Sequence, residues 1–229
     1  MSNKILALVI GLLLFNFFSS SAQNIRLKSQ IYQIDSSVVA EIDKMIEPFK
    51  GKSNANISFA IYENEKEFIR KNNLPALSLT SFSNNIVAVD CLNGVNEGLG
   101  FFLMISKDTS FVNLKVLSKS DSILFRSVKT STLQPELLVN CESRKVILAH
   151  DPAFAQGEVI QGIVELESEY FYELRNNNEK KIKFWIKAFF KSEPIPINRN
   201  HYKTLVNRFS LGAVEYFSHS AAKFVVYTP

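Results

Sequence analysis

Apolar and polar positions along this chain follow two different periods. Over residues 35–49 the apolar side chains recur at helical spacing. Val38, Ile42, Met45 and Phe49 form one stripe, with Val39 and Ile46 beside it. The pattern predicts an amphipathic helix, capped by Asp35 or Ser36 and ended near Pro48. Residues 57–62 read as a strand, and the charged stretch 63–72 as a short helix before Pro75. Beyond Ile86 short β-rich runs take over, at 86–92, 99–106, 111–117, 123–128, 136–140, 145–150, 158–172 and 180–191. The breaks between them are too short for the crossovers of a dozen or so residues that parallel strands need. An antiparallel meander is therefore predicted.

The fold class read from this pattern is mainly β, with α+β character at the margins. The meander is expected to form a sandwich or barrel-like sheet. In the run 99–106, Leu99, Phe101, Leu103 and Ile105 alternate with Phe102 and Met104, so both faces are apolar. Such a strand should be central and covered on both sides, and the N-terminal helix is the predicted cover. In the tail, 192–229, the residues Tyr202, Leu205, Val206, Phe209, Ala213, Tyr216, Phe217 and Phe224 follow a helical period. They predict a C-terminal helix, which Gly212 weakens; residues 224–227 also read as a last strand.

The most specific pattern is a hairpin. Ile160, Gly162, Val164, Leu166 and Tyr170 alternate with Glu165, Glu167 and Glu169. Ile182, Phe184, Ile186, Ala188 and Phe190 alternate with Lys181, Lys183, Lys187 and Lys191. Folding the two runs about residues 175–178 puts one apolar face inside and lays carboxylates beside ammonium groups. Each opposite-charge cross-strand pair contributes roughly 0.2–1 kcal/mol. Their larger effect is on register, because a slip by one residue would turn every apolar side chain outward.

The first 22 residues read as a signal peptide. Lys4 is the positive end, residues 5–18 are the apolar run, and Ser20 and Ala22 fit small-x-small cleavage. The run of about 14 residues is shorter than the roughly 20 a spanning helix needs. A lipoprotein route requires a cysteine at the cleavage point, and the first cysteine is Cys91. The expectation is an exported protein, periplasmic or secreted, with one mature domain at 23–229. Formal net charge is +4, and losing Lys4 makes it +3. That balance gives no footprint for nucleic acid. A hydrophobic content of 46% with 19 Phe supports a real core.

Export licenses a disulfide between Cys91 and Cys141, since each closes an alternating apolar run on the inward face. The competing reading is a pair of buried free thiols.

Candidate chemistry is sparse. Trp185, the one tryptophan, falls on the lysine face of its strand and is the candidate ligand-binding residue, suited to stacking on a sugar or other planar group. The glutamate row at 165, 167 and 169 spaces its carboxylates roughly 7 Å apart, too wide for calcium without further oxygen ligands. Glu215, His219 and His201 lack the spacing of a zinc site. His150 and Asp151 are adjacent, so an extended backbone points them to opposite faces. Asn56-Ile57-Ser58 is a glycosylation sequon. No metal or cofactor is expected. The leading expectation is an exported non-catalytic binding or structural module, with an envelope protein or a glycan as partner. The alternatives are a lipocalin-like carrier of a small apolar ligand and an exported hydrolase using His150, His201 or His219.

Overall fold

The computed structural model describes residues 30–83, 85–94, 97–107 and 109–194. The signal segment, the tail helix, His201, Glu215 and His219 lie outside the described residues. Among the described residues no helix is long and apolar enough to cross a membrane.

The described residues form twelve strands in one large mixed sheet. In chain order they are β1 Gln33–Ile34, β2 Ala55–Glu63, β3 Lys66–Ser83, β4 Ile86–Asn93, β5 Glu97–Ser106, β6 Thr109–Ser118, β7 Ile123–Ser127, β8 Glu136–Val139, β9 Cys141–Leu148, β10 Ile160–Ser168, β11 Phe171–Arg175 and β12 Asn178–Pro194. Across the sheet the order is β1-β9-β10-β12-β2-β3-β4-β5-β6-β8, with β11 and β7 attached at β12. Strands β2 to β6 are an antiparallel meander.

The meander does not extend over the whole sheet. β12 inserts between β10 and β2, and two short contacts are parallel, β1 with β9 and the tip of β12 with β3. Length explains the second. β12 has 17 residues and outruns its antiparallel partner β2. β3 runs opposite to β2, so the overshooting tip meets β3 in the parallel sense, pairing Glu193 with Leu79.

The stretch 63–72 is not a helix. It forms a two-residue hairpin at Asn64-Glu65 and the first half of β3. Both turn residues have positive φ, 49° and 68°, the geometry whose twist suits tight hairpins. Pairing of Ile61 with Ile69 across that turn overrides the helical leaning of its charged residues. A second such turn, Asn176-Asn177 with φ 50° and 62°, joins β11 to β12.

Among the described residues one short α-helix, α1 (Val38–Ile46), occupies the predicted N-terminal stretch and ends in a 3-10 turn at Glu47–Phe49. Asp35 accepts bonds from the Ser37 backbone N–H (2.9 Å) and hydroxyl (2.6 Å), which shapes the helix entry. α1 buries Val38 and Ile42 against Ala149, Ile163 and Phe189. It therefore covers the β9-β10-β12 part of the sheet, not β5 as the sequence suggested. The exposed face there presents an apolar row, Ile147-Ile163-Phe189 in register, which needs a cover. Asn56 is buried, 1% exposed, and donates to the Met45 carbonyl at the end of α1 (2.9 Å). Its side chain is a structural bond rather than a free glycosylation acceptor.

The main core takes side chains from both ends of the strand order. Phe101 of β5 meets Phe190 of β12 at 5.5 Å between ring centroids, and Phe171 stacks on Phe184 at 6.0 Å. Gly162 permits one close approach. A Cβ there would stand 2.5 Å from the Ile147 carbonyl oxygen and 3.0 Å from Phe190.

The predicted disulfide does not form. Cys91 and Cys141 are free and buried. Cys91 lies on β4, in a register row that continues through Phe101 on β5 to Leu114 on β6. The Cys141 thiol donates to the Val139 carbonyl (3.9 Å) on β8, and Val139 pairs with Leu114 of β6. In the strand order β5 and β6 therefore stand between Cys91 on β4 and the end of β8 that Cys141 follows. Strand alternation puts both inward without putting them together.

Candidate functional site

The odd positions of β12 build one outward face. Lys181, Lys183, Trp185 and Lys187 alternate there, with Phe189 continuing under α1. Trp185 is in register with Glu167 of β10 and Ala60 of β2, and Ala60 with Arg70 of β3. Trp185 is half-buried. Its indole N–H donates to Glu165 Oε1 at 3.3 Å, and the Arg70 guanidinium lies 5.8 Å from the ring centroid. Tyr62 is the register partner of Lys183, and Tyr172 that of Lys181. Lys181 stands 4.9 Å from the Tyr170 ring and Lys183 stands 5.5 Å from it, while Arg126 covers Tyr172 at 3.9 Å. Four aromatic side chains thus share one face with a set of cations, and Tyr170 is among them rather than on the apolar side its even position predicts, because the register shifts at Glu167/Ser168.

Most of those cations are held by carboxylates. Lys183 Nζ lies 2.6 Å from Glu142 and 2.7 Å from Glu167, with only 13% of its side chain exposed. Burial alone would lower its pKa. The bonds to Glu142 and Glu167 outweigh that and raise it above the ordinary 10.5. Arg126 grips Glu179 with two bonds of 2.8 Å, which holds the Glu179 carboxyl below its usual value. Lys187 reaches Glu41 on α1 at 3.8 Å, and Glu169 meets Lys129 at 3.6 Å. The glutamate row is therefore divided: Glu165 bonds Trp185, Glu167 bonds Lys183 and Glu169 turns to Lys129. Among the described residues no three His, Cys, Asp or Glu side chains converge on a metal position.

Beside Trp185 the face dips into a cleft of about 300 Å³. The register row Lys145-Glu165-Lys187 forms its floor, and Asp35, Ser37 and Glu41 at the start of α1 form its wall. Glu165 belongs to both features, bonding Trp185 and lining the cleft. The volume is at the lower end of small-molecule sites, which run from about 300 to 1,000 Å³.

His150 follows β9 and places Nε2 3.3 Å from Glu158 Oε1, while Asp151 accepts a bond from Tyr32 at 3.1 Å. His150 and Asp151 thus engage different partners, with no shared imidazole–carboxylate contact.

The sequence reading passed over one cluster. On the opposite part of the sheet Lys115 of β6 is 2% exposed, Asp90 of β4 is 4% exposed, and Nζ sits 2.5 Å from Asp90 Oδ2. Glu136 of β8 is 3.5 Å from the same nitrogen. Gly100 of β5 is in register with Lys115 and with Leu92 of β4, so Lys115 crosses β5 beside Phe102, the register partner of Asp90. A Cβ at Gly100 would fall 1.8 Å from the Cys91 carbonyl oxygen. Asp90 Oδ1 is buried with no hydrogen bond among the described residues. Burial raises the Glu136 carboxyl above its ordinary 4.5, more than the neighbouring ammonium lowers it. The signal was present in sequence: Asp90 interrupts 86–92, and Lys115 interrupts 111–117, both otherwise largely apolar.

No protein-family model, curated protein sequence or solved structure matches this chain.

Proposed function

We propose that the chain is an exported, non-catalytic binding module that takes a glycan at the Trp185 face. The observation that carries this is the pairing of an aromatic platform with a polar cleft through one residue, Glu165. Sugar rings stack on aromatic faces, and their hydroxyls take bonds from carboxylates and ammonium groups together. Trp185, Tyr62, Tyr170 and Tyr172 supply the first. Lys145, Glu165, Lys187 and Glu41 supply the second. Export is supported by the n-region, apolar run and small-x-small end of residues 1–22. A sandwich-like body, with Phe101 and Phe190 meeting across the core, suits a module of this kind. The same ring contacts favour a filled interior over the ligand cavity of a carrier.

The single tryptophan makes the test direct. Intrinsic fluorescence of the native protein is titrated with neutral chito-oligosaccharides and with uronic-acid oligosaccharides. A saturable change with at least one probe is expected. Trp185→Ala should abolish binding by calorimetry while the far-ultraviolet dichroism stays unchanged. Absence of saturation by both probes at millimolar concentration refutes the glycan reading.

A further inference from the structure

We propose that Lys115 and Asp90 join through an intramolecular isopeptide bond between Nζ and Cγ, with Glu136 carrying the proton. Three features of the geometry support it. The amine and the carboxyl group are already in contact, Nζ to Oδ2 at 2.5 Å, so the carboxyl carbon is one C–O bond further on. Both side chains are almost fully buried, at 2% and 4% exposure. A third carboxyl group, Glu136, lies 3.5 Å from the same nitrogen.

The chemistry balances without a co-reactant. Burial favours the neutral forms of amines and acids over their ions. The Nζ proton passes to Asp90 Oδ2 across their 2.5 Å contact, turning the ion pair into a neutral amine and a neutral carboxylic acid. The amine lone pair attacks Cγ, an N–C bond forms, and the Glu136 carboxylate takes the extra proton from the nitrogen. The tetrahedral centre then collapses. One C–O bond breaks, and its oxygen leaves as water with the proton that Glu136 returns. The net change is one amine plus one carboxylic acid giving one amide plus one water. Holding the partners in contact raises their effective concentration to the order of 10⁵ M or more. The raised Glu136 carboxyl suits a group that must both accept and return a proton. The product also relieves the site. A buried ion pair whose Asp90 Oδ1 lacks a hydrogen bond among the described residues becomes a neutral amide.

Intact mass spectrometry of the full chain, denatured and reduced, tests this directly. The linked chain is lighter than its sequence by one water, about 18 Da. Peptide mapping locates the loss. Trypsin should yield residues 72–107 joined to 108–119, with no cleavage after Lys115. A loss of water confined to a single unlinked peptide overturns the bond, as does recovery of free 108–115 as the main product. Lys115→Arg should release 72–107 unlinked. Glu136→Gln should leave at least a tenfold larger unlinked fraction than wild type. Full linkage in Glu136→Gln overturns the assignment of the proton carrier. The wild-type map alone decides the bond, whatever the variants do to folding.

Discussion

Replacing Lys183 by Met removes the hub of the outward ion network and leaves the strand otherwise intact. Lys183 sits between Glu142 at 2.6 Å and Glu167 at 2.7 Å, with 13% of its side chain exposed. The two carboxylates are more open, 47% and 35% exposed, so water can solvate them once the ammonium is gone. Each exposed pair contributes about 0.2–1 kcal/mol, so the loss should be ~1–2 kcal/mol in urea unfolding, with an unchanged m-value. A double-mutant cycle with Glu167→Gln isolates one pair and should give a coupling of ~0.5–1 kcal/mol that shrinks in molar salt. The pH dependence has a fixed sign. The folded pKa of Lys183 is raised above the ordinary 10.5. Its contribution is therefore complete below about pH 10.5 and is lost as pH climbs through the folded value. Stability of wild type minus stability of the variant should be flat from pH 7 to 10 and fall above that. A coupling of zero, or a difference that is already falling at pH 8, refutes the network.

Two further perturbations address the core. Ile42→Ala empties the centre of the α1 contact, where Ile42 is 0% exposed. The expected loss is ~3 kcal/mol. A helix of nine residues is marginal by itself, so amide exchange should accelerate across α1 while β12 stays protected. Uniform acceleration of both would refute local undocking. The thiols supply the other test. Burial pushes Cys141 up to about 12 and Cys91 well above the ordinary 9.0. Native protein at pH 8 should leave both unmodified by a thiol reagent, and denaturation without reductant should expose both. Above pH 9 the unfolded chain gives up thiol protons that the folded chain keeps, so stability should fall there. A native chain with no titratable thiol after denaturation would restore the disulfide.

What could be read from the sequence tracks which interactions are local. The alternation of Glu165 and Glu167 against Lys183 and Lys187 survives into the structure because a strand fixes its own two faces. The β12 register then depends on the turn at Asn176-Asn177, also local. The first half of β3 was not legible, because its charged residues look helical until Ile61 pairs with Ile69. The cysteine pair failed for a related reason. Periodicity says which way Cys91 and Cys141 point, but not that Phe101 and Leu114 intervene. Trp185 was placed on the right face, yet the cleft beside it depends on α1 docking over β10, which no local pattern encodes.

The buried cluster shows how a non-local site leaves a local trace. Asp90 and Lys115 are 25 residues apart and on strands that are not neighbours, because β5 runs between them. Each alone reads as a polar intrusion in an apolar strand, a cost that only a partner can offset. Gly100, the register partner of Lys115, leaves β5 without a side chain next to the lysine stem, where a Cβ would meet the β4 backbone. Linking β4 to β6 over β5 would confine β5 between them. By the chain-entropy relation used for disulfides, closing a loop of about 25 residues is worth ~3.5 kcal/mol. That is a large share of the roughly 5–15 kcal/mol that holds a domain folded. The two thiols, held apart by Phe101 and Leu114, contribute no such closure. The amide would therefore give the chain the covalent reinforcement that its cysteines were expected to supply, placed across a strand, β5, that is buried through most of its length.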